Sequence, residues 1–310
     1  MRRGKVRVGL GLASFPLEDA RSFFRWALRC EELRIDSLWQ TDRLVSADPY
    51  LEPLSAVATL AGMTERVKFG MNAVVAPLRD PLVLAKQCAT IDFLSRGRLL
   101  PMFGVGNDGA PEWLATGREP KTRGSVADEV LELLRRLWSE DSVTFEGRHF
   151  RYREARIAPR PVQQPMPLWI GGQSAAAIRR TARLGNGWIG GIASVDQVEA
   201  AIRGIRSEAA ALGRAIDDDH FGASLAFRIG SFDDAPVGRH PLLRRSGVSA
   251  EALRSLVCVG GSAELVARIE ALKAVGASKF VLIPIADGDA DLLDQTERIA
   301  AEVVPAVQEG

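Results

Sequence analysis

Eight short apolar runs, each followed by a stretch with helical spacing, limit this chain's folding options more than any other feature. The runs are Val6 to Leu12, Asp36 to Gln40, Val67 to Val75, Arg98 to Val105, Leu168 to Ile170, Gly187 to Gly190, Phe221 to Gly230 and Lys279 to Pro284. They are apolar along nearly their whole length, as parallel strands buried on both faces are. The intervening helices are read at Leu17 to Leu33, Pro53 to Met63, Pro81 to Leu94, Arg123 to Trp138, Ala175 to Leu184, Val195 to Leu212, Ala263 to Val275 and Asp291 to Val304. Regular strand–helix alternation predicts an α/β chain with a parallel sheet. Eight such units in 310 residues fit a single (β/α)8 TIM barrel over 1–310 better than two domains. A doubly wound open sheet is the competitor, weakened because no G-x-G-x-x-G follows the first run.

The rhythm is interrupted twice. Val143 to Ile157 alternates around Glu146-Gly147 and predicts a β-hairpin inserted after the fourth helix. Ser231 to Gly247 is polar, with two prolines and a basic cluster, and predicts an excursion after the seventh strand. Segments of this kind often cover barrel mouths and set substrate choice.

Charge and cysteine use narrow the function. Forty Lys and Arg against 39 Asp and Glu leave a net charge of +1, so no bulk field draws nucleic acid or an anionic membrane. Cys30, Cys88 and Cys258 are far apart and lack metal spacing; they read as buried thiols of a cytoplasmic protein. The basic start leads into a short, glycine-broken run that reads as a first strand rather than a leader. No run is long enough to span a bilayer.

In a barrel, chemistry sits where strands run into the following helices. Glycines recur there: Gly11, Gly104 and Gly106, Gly171 and Gly172, Gly190 and Gly191. Side-chain-free mouths describe a smooth slot for a large planar or phosphorylated ligand. Gly171-Gly172-Gln173-Ser174 turns directly into a helix, whose first N–H groups carry a partial positive charge suited to a phosphate. A tight turn with no ligand is the plain alternative. Trp39, Asp42 and Arg43 cluster at the second mouth, where Asp42 could also simply cap a turn and pair with Arg43. Polar Asn72 interrupts the third apolar run and needs a hydrogen-bond partner. His149, His220 and His240 fall at no predicted mouth, and neither a metal pattern nor a G-x-S-x-G serine motif is present.

Several segments together resemble the bacterial luciferase-like monooxygenase superfamily. They are Asp36-Ser37-Leu38-Trp39 with Asp42, GMNAVVAPLRDP from Gly70, LSRGRLLPMFGVG from Leu94, the helix from Arg123, PRPVQQPMPLWIGG from Pro159, and Arg179 to Gly190. The ordered set covers nearly the whole chain and is most similar to the deazaflavin (coenzyme F420) branch. The resemblance implies a (β/α)8 barrel and a cis peptide between Asn72 and Ala73. It places a cofactor ring near Asp42, Asn72, Ala73, Val75, Gly104, Gly106 and Asn107, and a phosphate on Gly171, Gly172, Gln173 and Ser174. It also suggests a homodimer. Two positions depart from the pattern. Arg43 replaces a common His, removing an acid or base but leaving a group that can hold an anion. Asn186 replaces an Asp and is expected to be structural.

The expected activity is hydride transfer between reduced F420 and a small organic substrate, with Asp42 as the candidate acid/base and Trp39 and Arg43 as substrate or anion contacts. An FMN-dependent monooxygenase on the same barrel is the alternative. A non-catalytic flavin-binding barrel, or a lyase or isomerase acting on a phosphorylated metabolite, are the readings of other classes.

Overall fold

A computed structural model describes residues 5–14, 17–234, 236, 237, 240 and 255–308. Its main sheet closes on itself. Strand β1 (Arg7–Leu12) pairs β2 (Ser37–Gln40), which pairs β3 (Lys68–Met71). β3 continues after a break as β4 (Val74–Val75), and the next strand is likewise split into β5 (Leu99–Leu100) and β6 (Met102–Gly104). β3 pairs β5 and β4 pairs β6. β6 then pairs β9 (Trp169–Gly171), followed in turn by β10 (Gly187–Ile192), β11 (Phe221–Ile229) and β13 (Lys279–Pro284). β13 returns to β1, and every one of these pairings is parallel. The ring is therefore the expected eight-position α/β barrel. β7 (Val143–Glu146) and β8 (Arg151–Ala155) form the antiparallel hairpin apart from it.

The helices lie between the strands: α1 (Ala20–Glu32), α2 (Pro53–Met63), α3 (Pro81–Ser95), the short α4 (Glu112–Ala115), α5 (Arg123–Ser139), α6 (Ala175–Leu184), α7 (Val195–Ala211), α8 (Ser262–Ala274) and α9 (Asp289–Arg298). Local chemistry fixes their starts. α1 begins at Ala20 rather than Leu17 because the Asp19 carboxylate accepts the Ser22 N–H at 2.9 Å. Pro53 and Pro81 occupy first-turn positions, where the missing N–H costs nothing. Ser194 and Gln197 form a reciprocal capping box at α7.

Two strands are broken where continuous ones were expected. Pro101 supplies no N–H and separates β5 from β6, while its carbonyl still accepts from Trp169. Asn72 N–H still donates to Gln40 at 2.8 Å, after which the Asn72–Ala73 peptide is cis and β4 resumes. A further strand that the pattern did not show, β12 (Cys258–Gly260), pairs with the end of β11. Residues 241–247 of the polar excursion, with Phe15 and Pro16 after β1, lie outside the described residues.

Two layers of core follow from the period-2 alternation of the strands. Outward residues such as Leu10, Leu38, Phe69, Phe103 and Leu282 pack beneath the helices. Inward residues Trp39, Leu100, Met102, Trp169, Ile189, Val281 and Ile283 fill the barrel. Room for the two indoles comes from absent side chains: a Cβ on Gly70 would lie 2.7 Å from the Trp39 ring, and one on Gly187 2.6 Å from that of Trp169.

Candidate cofactor site at the barrel mouth

Above this packed interior, the strand ends form a floor with few side chains. Asn72, the last residue before the cis peptide, reaches across the barrel, and its Nδ2 donates to Ser224 Oγ of β11 at 3.0 Å. Ser224 is buried, whereas Asn72 is half-exposed. Beside this rung, Ala73, Gly104 and Gly171 lie together. A Cβ on Gly104 would meet only Ala73 Cβ, at 3.5 Å, whereas one on Gly171 would be 2.7 Å from Met102 Cε and 3.7 Å from Ala73 Cβ. Ala73 and Gly104 thus present almost bare backbone, and Met102 fills the space beside Gly171.

Gly171 also begins the turn into α6. Gly172 has φ of 107°, a left-handed conformation favoured by glycine, and its carbonyl accepts Trp188 Nε1 at 2.7 Å. Ser174 Oγ caps the helix by accepting the Ala177 N–H at 3.2 Å. Ala175 and Ala176 are exposed, and first-turn N–H groups have no partner inside the helix. Gln173 Nε2 is buried without a partner. The turn from Gly171 to Ser174 thus leads directly into the first turn of α6. α6 is fixed beside α5 by Arg180, which donates to Asp128 at 2.8 Å and to the Gly124 carbonyl at 3.2 Å.

The second mouth requires two corrections. Asp42 was expected as an acid or base, but both carboxylate oxygens are committed. Arg79 binds them in a bidentate pair at 2.6 and 2.9 Å, and the Val75 N–H donates to Oδ2 at 2.8 Å. Glu52 shares Arg79 at 3.2 Å. Burial alone would lower the Arg79 pKa, but hydrogen bonding and charge from Asp42, then Glu52, hold it above its ordinary value. Asp42 thus fixes the backbone of β4 from behind. Trp39 was expected to contact substrate, but it is fully buried in the barrel interior. Its Nε1 donates to Ser37 Oγ at 3.0 Å, and the Lys279 ammonium sits 5.7 Å from a ring centroid of the indole. The residue lies on the inward face one layer below the mouth.

The other expected site residues divide similarly. Val75 and Gly106 adjoin: a Cβ on Gly106 would be 2.9 Å from Val75 Cγ1 and 3.1 Å from the Trp113 ring. Asn107 is exposed; its Oδ1 accepts the Gly109 N–H at 3.3 Å and its carbonyl accepts Trp113 Nε1 at 2.7 Å, so it shapes its own turn. Asn186 is structural, as expected, exchanging hydrogen bonds with Leu168 at the entry to β9 and β10.

Arg43 is partly exposed, and its single side-chain partner among the described residues is Glu112, at 3.5 Å. Glu112 did not stand out in the sequence. It is 3% exposed on α4, and its Oε2 has no partner. Nothing in the sequence marks it, since Asp108 and Glu119 lie in the same segment and only packing sets Glu112 apart.

The family profile described as luciferase-like monooxygenase matches residues 4–235. An F420-dependent glucose-6-phosphate dehydrogenase of Amycolatopsis mediterranei (strain U-32) is 32% identical over 180 residues, 54% of this chain and 53% of that protein. The chain thus spans about half the length of this curated relative. Among solved structures, an F420-dependent secondary alcohol dehydrogenase in complex with an F420-acetone adduct superposes with a TM-score of 0.83 at 18% identity, covering 98% of this chain and 99% of that one. Monooxygenase RslO1 from Streptomyces bottropensis superposes at 0.82 and 22% identity, covering 96% and 99%. At those identities the two structures establish the fold alone.

Proposed function

This chain belongs to the luciferase-like monooxygenase family, and we propose that it is an oxidoreductase exchanging a hydride between a deazaflavin of the F420 type and a small organic substrate. One observation carries the reading. The open backbone of Ala73 and Gly104 lies beside Gly171, from which the chain turns through Gly172 to Ser174 into the first turn of α6. A flat ring needs open backbone for face contact, and a phosphorylated tail needs the N–H groups of a helix start. The orphaned Gln173 Nε2 is a further donor in that turn. The F420-dependent relative favours a deazaflavin over FMN.

When bound, the deazaflavin supplies or accepts the hydride; the protein supplies position and surroundings. Asp42 and Arg79 hold the β4 backbone in place, and the Asn72–Ser224 hydrogen bond joins opposite walls at the mouth. The N–H groups at the start of α6 would hold the phosphate. Arg43, braced by buried Glu112, offers its remaining guanidinium donors to an anionic or carbonyl group of the substrate. A guanidinium is a planar fork of N–H donors, so Arg43 orients a substrate group through hydrogen bonds.

Two collateral features fit this reading. Val83, Phe93 and Leu94 on α3, with nearby Val162, are each more than half exposed, a face suited to a homodimer. Cys30, Cys88 and Cys258 are buried and unpaired, and burial pushes all three thiols up, as in a protein of a reducing compartment such as the cytoplasm.

Fluorescence titration with F420 and with FMN tests the proposal. Tight binding of F420 with weak binding of FMN is expected, followed by turnover on a panel of alcohols, aldehydes and ketones. Tight FMN binding with oxygen-dependent turnover gives the monooxygenase instead. Binding without turnover gives a carrier, and binding of neither cofactor removes the redox assignment.

A further inference from the structure

Two guanidinium groups stand at the second mouth, and they are unequally engaged. The Arg79 side chain is 12% exposed and is held by Asp42 and Glu52. That of Arg43 is 30% exposed, and its one partner among the described residues is Glu112 Oε1, 3.5 Å from Nη1. Such a distance lies beyond the range of a strong hydrogen bond. Asp42, the adjacent acid, has both oxygens on Arg79 and Val75 and does not serve Arg43. Most of the Arg43 fork is therefore free for a ligand.

Glu112 is the opposite case. Its side chain is 4% exposed, Arg43 is its one side-chain partner among the described residues, and Oε2 has none. Burying a carboxylate with so little compensation is costly. The arrangement yields a tether that fixes one end of a long, otherwise free cation.

A circuit of contacts places this pair on the rim of the barrel mouth. Arg43 follows Asp42, which accepts the N–H of Val75 on β4. A Cβ on Gly106, just beyond β6, would touch Val75 on one side and the Trp113 ring on the other. Trp113 follows Glu112 on α4, and Glu112 returns to Arg43. The circuit links the ends of β2, β4 and β6, and Gly104 is the last residue of β6.

We propose that Arg43 selects substrates bearing a carboxylate, and that Glu112 is the positioning residue that holds its guanidinium for them. The inference rests on the deazaflavin reading above and narrows the substrate of that site to an organic acid. A carboxylate accepts two parallel N–H bonds from one edge of a guanidinium at about 2.8 Å, shorter and stronger than the contact Glu112 makes. A dianionic phosphate fits less well, because one cation stands here and Glu112 repels the second negative charge. A neutral ketone or alcohol draws little benefit from the charge.

The test is calorimetric titration of the whole protein, with and without F420. The probes are pyruvate, levulinate and phenylpyruvate, the methyl ester of each, and glucose 6-phosphate. At least one acid is expected to bind about tenfold more tightly than its ester at low ionic strength, an advantage that shrinks at about 0.5 M salt. Arg43→Ala is expected to melt as the parent does and to bring that ratio close to one, while Arg43→Lys keeps part of it. Glu112→Ala is expected to lower the ratio too, and to add nothing once Arg43 is alanine. No acid preferred over its ester overturns the proposal, as does a preference that survives Arg43→Ala. A folded Glu112→Ala protein with the parent's ratio overturns the positioning role. Glucose 6-phosphate binding that depends on Arg43 more steeply than that of the acids overturns the choice of carboxylate. Failure to bind F420 defeats the deazaflavin reading itself, a result distinct from failure of the acid site.

Discussion

Asp42→Asn separates the supporting role found for this carboxylate from the catalytic role its sequence position suggests. The Asp42 side chain is 1% exposed and that of Arg79 is 12%. Removing one charge from a buried pair typically costs about 3–5 kcal/mol, because the other charge stays buried without compensation. Glu52 remains 3.2 Å from Arg79, so the lower end, about 3 kcal/mol, applies here. At about 2–3 °C per kcal/mol for a chain of this length, the melting temperature falls by roughly 6–9 °C. Differential scanning calorimetry reads this directly. Arg79→Met leaves the opposite charge stranded and is also costly. The double variant removes both charges and is less destabilised than the sum of the singles, by about 2 kcal/mol or more. The cofactor titration weakens with Asp42→Asn because the Val75 N–H loses its charged acceptor. A variant that melts normally and binds cofactor normally, yet no longer turns over, refutes this reasoning and returns Asp42 to acid–base duty.

Two further perturbations reach other parts of the molecule. Gly104→Ala places a methyl in ordinary contact with Ala73 and folds normally, while Gly104→Leu projects into the slot and lowers deazaflavin affinity by roughly 100-fold; a folded Leu variant with full affinity puts the ring elsewhere. Glu129 is the anchor of the hairpin, accepting the N–H groups of Arg148, His149 and Phe150. Burial works to raise its pKa, but those hydrogen bonds outweigh it and hold the folded value below the ordinary one. The resulting stabilisation is complete above the unfolded value of about 4.3 and is lost as pH falls through the folded one. Glu129→Gln therefore melts earlier than the parent at neutral pH and converges with it in acid; parallel melting curves at all pH values contradict the assignment.

The barrel was legible because each strand–helix unit carries its own local signal: an apolar run, a glycine or capping residue, then helical spacing. What escaped depends on partners distant in sequence. β12 is too short to show a pattern and exists only through its pairing with β11. Asp42 looked catalytic because its partner Arg79 lies 37 positions away, beyond β3 and β4. Trp39 was misjudged by one layer: a strand position near a mouth says nothing of depth until the neighbouring Gly70 is seen to leave room for the indole. The glycine turn into α6 and the glycine mouths were legible because backbone geometry is local. Glu112 was not, since its meaning lies in an unmet hydrogen bond that only packing reveals.

The hydrogen bond between Asn72 and Ser224 has a consequence for how such a protein can change. It joins opposite walls of the ring just above a layer packed with Trp39, Trp169 and Ile189. Beneath that crossbar the barrel is filled by side chains, so the space open to change lies in the strand ends and loops above it. New substrates can then be accommodated by exchanging loops alone, while the storey that keeps the chain folded stays sealed off from the experiment.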